Sequence, residues 1–119
     1  MENPDSVQAA ETARADTGSS NTGSFRALGT EPFWNLEIRS EGLRFITPDD
    51  TVGMRFPPMT PTVVGDTTRW IGETGPAPID VRIWPAQCSD GMSDRVWTLT
   101  AAVTINQTAY RGCAERLPG

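Results

Sequence analysis

The chain is predicted to be all-β: a small antiparallel β-barrel or sandwich of about eight strands, behind a disordered N-terminal tail. Three observations predict it. Short apolar runs alternate with polar residues at a period of two, turn residues recur between the runs, and no stretch carries the 3.6-residue period of an amphipathic helix. Four tryptophans and four phenylalanines give a short chain bulky core material, so its aromatic residues are structural by default. The 119 residues have room for one domain, placed at 25–119.

Residues 1–24 hold no aromatic side chain and one valine. Such a segment cannot bury enough apolar surface to offset its ordering entropy, so it is expected to be a disordered acidic tether. Its composition is similar to the tether of a bacterial lipoprotein, with Met1 standing where a lipidated cysteine would begin the mature chain. An unanchored tail is the alternative.

Order is expected from Phe25. A short strand leads to the Gly29-Thr30-Glu31-Pro32 turn, and the next strand puts Trp34, Leu36 and Ile38 on one face. Ser40-Glu41-Gly42 turns the chain into Leu43, Phe45 and Thr47, completing a hairpin with alternation on both arms. Val52, Met54 and Phe56 alternate next, before Pro57, Pro58 and Pro61, which lack backbone donors and cannot lie inside a central strand. Gly65-Asp66 marks another hairpin, with Trp70 on its second arm. Ile79, Val81 and Ile83 then alternate along a strand that runs through Pro85 to Cys88. Phe33 and Trp84 fall opposite their strands' aliphatic residues, which makes them the aromatic candidates for surface recognition.

The stretch Cys88–Cys113 organises the rest. Trp97, Leu99, Ala101, Val103 and Ile105 alternate with a second face rich in threonine, and Asn106-Gln107-Thr108 turns the chain into a last strand through Tyr110 and Arg111. The only two cysteines have neither zinc-site nor C-x-x-C spacing, so a Cys88–Cys113 disulfide is the simplest arrangement, with two buried free thiols as the alternative. Closing a loop of about 25 residues removes unfolded-state entropy corresponding to about 3 to 3.5 kcal/mol. A disulfide also implies an oxidising compartment. Residues 89–94, Ser-Asp-Gly-Met-Ser-Asp, form a polar loop pinned beside the bridge. It either offers a pre-organised recognition surface or simply hydrogen-bonds its own backbone to build the turn.

Charge and composition exclude much. A net charge of −5 speaks against nucleic acid. The absence of histidine removes the usual general base, the usual zinc and copper nitrogen ligand, and the Ser-His and Cys-His nucleophile arrangements. All ten basic residues are arginine. Asp90 and Asp94 lack the full calcium-loop spacing, and Met54, Met59 and Met92 are explained by packing at least as well as by Cu(I). No metal and no cofactor is expected.

Two segments carry a resemblance. Ala27-Leu28-Gly29-Thr30-Glu31-Pro32-Phe33-Trp34, together with Cys88-x-Asp90-Gly91-Met92-Ser93-Asp94 and Tyr110-Arg111-Gly112-Cys113-Ala114, resembles a family of uncharacterised bacterial envelope proteins, many of them lipoproteins. The resemblance spans the whole ordered domain and implies a periplasmic or outer-membrane-anchored location. A looser similarity is to small periplasmic β-barrel inhibitors of lysozyme, in which Ser93 and Arg111 would enter an acidic cleft; Asp94 beside the serine would oppose that.

The expected function is therefore a non-enzymatic, monomeric envelope module that binds a ligand or protein partner. The expected contact residues are Glu31, Phe33, Trp34, Asp90, Met92, Ser93, Asp94 and Arg111. A lysozyme-type hydrolase inhibitor is the first alternative. The second is a hydrolase working on paired carboxylates such as Asp90 and Asp94 or Asp49 and Asp50.

Overall fold

The computed structural model describes residues 23–30, 32–91 and 94–118, so the proposed tether lies almost wholly outside the described residues. The described residues form nine strands, β1 (Phe25–Thr30), β2 (Phe33–Arg39), β3 (Gly42–Thr47), β4 (Asp50–Phe56), β5 (Thr62–Val64), β6 (Thr67–Gly72), β7 (Ile79–Ser89), β8 (Val96–Ile105) and β9 (Thr108–Arg116). The count is nine where about eight were expected, β5 being only three residues long. All nine belong to one antiparallel sheet curled into a half-barrel, in the order β4-β3-β2-β1-β9-β8-β7-β6-β5. The arrangement is thus barrel-like rather than a two-layer sandwich.

Closure into a full barrel fails for a reason of parity. Every neighbouring pair is antiparallel. With an odd number of strands, the edge strands β4 and β5 run in the same sense. Bonding them would require a parallel pair, which needs a crossover of about a dozen residues or more. The link available is 57–61, and three of its residues are prolines. Met59 from this link instead packs against the core and beside Gly72, covering the seam with a side chain where backbone bonds cannot form.

Alternation fixes the inside. Phe25, Ala27, Trp34, Leu36, Ile38, Leu43, Phe45, Phe56, Trp70, Val81 and Val103 are among the interior residues, and all are buried. Trp34 stacks on Phe45 with centroids 6.1 Å apart, and Tyr110 packs against both at 6.0 and 5.0 Å. Phe25 meets Trp70 edge-on at 5.3 Å, an arrangement that the ring quadrupoles favour. The half-buried Met54 also packs on this core, as expected of a gap-filling thioether.

One strand departs from simple alternation. Val52 is in phase with Met54 and Phe56, yet it is 69% exposed. The β3–β4 register shifts between Phe45 and Thr47, and Gly53 takes φ +90° in the irregular stretch. A Cβ there would stand 2.8 Å from the Phe45 carbonyl oxygen, so glycine is required both for its conformation and for the close approach. Asp50 Oδ1 accepts the Gly53 N–H at 3.0 Å, which identifies this carboxylate as a turn former.

The outer face carries charge. Asp80 on β7 accepts from Arg69 Nε at 3.1 Å and Nη2 at 2.7 Å across the β6–β7 pair. These bonds hold its carboxyl below the ordinary aspartate range. Because the folded value lies below the unfolded value of about 3.9, the pair stabilises fully above that pH and loses its contribution as pH falls through the lower folded value. Asp80→Asn is expected to flatten the acid limb of a stability–pH curve below about pH 4 and to leave its shape above about pH 6 unchanged. Urea unfolding across pH measures this; an acid limb identical to that of the parent would show that the pair contributes nothing.

Candidate functional site

The two segments singled out in the sequence meet on the outer face of the sheet. Cys88 and Cys113 form a disulfide with Cα atoms 5.6 Å apart. Cys88 lies on β7 and Cys113 on β9, with β8 between them. In a flat sheet, strands two places apart are separated by about 10 Å. The tip of the β7–β8 hairpin must therefore fold back over the sheet, and the β7–β8 register shifts between Pro85 and Cys88 where it does so.

Three contacts then step across three strands. Thr100 Oγ1 on β8 donates to the Ala86 carbonyl at 3.0 Å. Cys113 on β9 bonds Cys88. Thr30 Oγ1 on β1 donates to the Asp90 carbonyl at 3.0 Å. Residues 86, 88 and 90 thus reach β8, β9 and β1 in turn, two through backbone carbonyls and one through its side chain. The result is a clasp laid across the β9–β1 seam.

Charge and one aromatic ring hold the clasp down. Trp97 is 4% exposed but lies outside the interior cluster. Its Nε1 donates to Asp90 Oδ2 at 3.4 Å, and the Arg95 guanidinium sits 3.7 Å over its ring. Arg95 also bonds Glu115 at 2.6 Å, and Glu115 bonds Arg26 at 2.9 Å, so one carboxylate sits between two arginines.

Each expected contact residue can now be placed. Phe33 is 51% exposed on the outer face. Asp90 is half-buried in the clasp, and Asp94 is exposed on its loop. Arg111 is exposed on β9 and makes no ion pair among the described residues. Glu31, Met92 and Ser93 lie outside the described residues. Trp34 requires a correction: it is an interior side chain at 4% exposure, not a surface contact. Its indole lies against Gly29 and Gly112, and its Nε1 donates to the Arg111 carbonyl at 3.3 Å. A Cβ on Gly29 would overlap that indole, and one on Gly112 would overlap the Leu28 carbonyl. Gly29 and Gly112 therefore serve close packing.

Beside the clasp runs an apolar groove of about 390 Å³, lined by Leu28, Phe33, Asn35, Ile46, Pro48 and neighbouring residues. Its floor follows the register Leu28↔Asn35↔Ile46 across β1, β2 and β3. Leu28 and Ile46 were not among the expected contacts. The available signal was phase: Leu28 is out of step with Phe25 and Ala27, and Ile46 with Leu43 and Phe45. Only the register brings the two to one place. The size suits a small apolar group, at the lower end of ligand pockets.

No group of three or more histidine, cysteine, aspartate or glutamate side chains among the described residues could hold a metal ion. No helix among them is long and apolar enough to cross a membrane. Comparison of the chain with family models, curated proteins and solved structures finds no match.

Proposed function

We propose that the chain is a non-enzymatic binding module of the bacterial cell envelope, which recognises a ligand or protein partner presenting an apolar group to the groove lined by Leu28, Phe33 and Ile46. The observation that carries this reading is Phe33, a large apolar side chain half in solvent at the rim of an apolar groove and next to a disulfide-pinned loop. Single exposed aromatics are ordinary, but one that borders a concave apolar surface on a rigid frame has the form of an interface anchor. The disulfide is compatible with an extracytoplasmic domain. Envelope location, tethering by residues 1–24 and a monomeric state complete the proposal.

The test is an amide NMR titration of the oxidised chain with peptidoglycan fragments and with a lysozyme, repeated with Phe33→Ala. A binding probe is expected to move the amides of residues 28–35 and 46–51. Phe33→Ala should weaken that probe at least tenfold while leaving the dispersed spectrum intact, as loss of an aromatic anchor does. If the groove amides stay still with every probe, or Phe33→Ala binds as well as the parent, this site assignment fails.

A further inference from the structure

A second feature of the outer face lies on the other side of β9. Antiparallel register sets Arg82 of β7 opposite Ala102 of β8, and Ala102 opposite Arg111 of β9. Two arginines thus flank an alanine in one cross-strand row, with Cα positions about 10 Å apart at ordinary strand spacing. A shallow groove of about 220 Å³ follows the row, lined by Asp80, Arg82, Ala102, Thr104, Ala109 and Arg111 among others.

The charges in this row are only partly balanced from within. Asp80 is engaged by the Arg69 fork at 3.1 and 2.7 Å, and it reaches Arg82 only at 3.5 Å. Arg111 has no carboxylate partner among the described residues. Yet its backbone is fixed, because its carbonyl accepts from Trp34 Nε1. The opposite end of β9 provides the comparison. There Arg26 and Arg95 also flank a position on the outer face, and that position is Glu115, bonded to both. Between Arg82 and Arg111 the corresponding carboxylate is missing, and the side chain that stands there is a methyl group.

From this contrast we infer that the strip between Arg82 and Arg111 binds an oxyanion, the carboxylate or phosphate group of a small ligand, above Ala102. A guanidinium presents paired N–H groups in a planar fork that matches such oxygens, and one fork brought over Ala102 from each side would supply what Glu115 receives at the other end. The alanine leaves the space the oxyanion occupies. Thr104, one outward position along β8, places a hydroxyl at the groove's edge. In a chain of net charge −5, this row draws anions only by local geometry. The site stands apart from the Phe33 groove, so either can fail without the other.

The test uses the oxidised full chain, ¹⁵N-labelled, titrated separately with inorganic phosphate and with succinate against sodium chloride at matched ionic strength. Saturable shifts are expected at the amides of 102–104 and 109–111 and at the Nε–H signals of Arg82 and Arg111. Arg82→Gln and Arg111→Gln should each weaken binding at least tenfold. Arg55→Gln, which alters another exposed arginine on β4, should leave it unchanged, and Ala102→Glu should abolish it by supplying the missing carboxylate. Saturation by both anions supports a general oxyanion site; saturation by one supports the site and names its group. Shifts that only track ionic strength, or that fall equally with Arg55→Gln and Arg111→Gln, would overturn the proposal.

Discussion

Replacing both cysteines by alanine, Cys88→Ala with Cys113→Ala, is expected to cost about 3 kcal/mol of unfolding free energy, on the chain-entropy account of a loop of about 25 residues. Against a total stability of roughly 5 to 15 kcal/mol for a single domain, that is a large share. The loss should be uneven. Cys113 is 1% exposed and lies with Trp97 between the folded-back tip and the sheet, outside the interior cluster. Without the bridge, the contacts that tie the tip to the sheet among the described residues include the Thr30–Asp90 and Thr100–Ala86 hydrogen bonds and the Arg95–Glu115 pair. Each is a weak restraint by comparison. Urea unfolding should therefore show the lower stability, and amide exchange should quicken first in residues 86–97 while β2 and β3 remain protected. A double variant that loses less than about 1 kcal/mol, or whose tip exchanges no faster than the parent's, would contradict the clasp description.

Trp34→Ala is expected to cost about 3 to 5 kcal/mol, the range for emptying a large buried aromatic site. The indole touches Phe45 and Tyr110, covers Gly29 and Gly112, and donates to the Arg111 carbonyl. Neither glycine has a side chain to collapse into the space, so relaxation is poor and the cost should fall toward the upper end. Trp34→Phe retains a ring and loses the Nε1 bond, which should cost about 1 kcal/mol beyond the volume lost. Guanidinium unfolding of the two variants separates the effects. If Trp34→Ala costs no more than Trp34→Phe, the indole is not the keystone described. Loss of partner binding in Trp34→Ala would report a damaged frame, so it is Phe33 that tests the site.

Much of this architecture follows from local rules. The period of two assigns Trp34, Leu36 and Ile38, or Val81 and Ile83, to one face, because a pleated strand has no other choice. Turn residues place the hairpins, and the cysteine arithmetic identifies the bridge. What local rules lack is information about which distant strands meet. Trp97 illustrates the limit: it continues the apolar phase of Leu99, Ala101 and Val103, yet it is buried outside the interior cluster because the tip bends near Pro85 and Cys88. Val52 illustrates the same limit from the other side, since an irregular register breaks a phase that the sequence keeps. The candidate site divides along that line. Phe33 is legible as an aromatic on the wrong face, whereas its groove partners Leu28 and Ile46, and the Arg82–Ala102–Arg111 row, exist only once register is known.

The seam between β1 and β9 also sets an order of assembly. Every other bonded pair in the sheet joins strands consecutive in the chain, hairpins that form by local search within microseconds. The β1–β9 pair joins Phe25 to Arg116, and the Leu117 N–H reaches the Ser24 carbonyl at 2.8 Å just beyond it. Nearly the whole domain is the loop that this pairing closes, and its entropy is lost before any bond along the seam is gained. Two meanders, β1–β4 and β5–β9, are thus expected to take shape first and to dock along one line, making their union the slow event in reaching the native state.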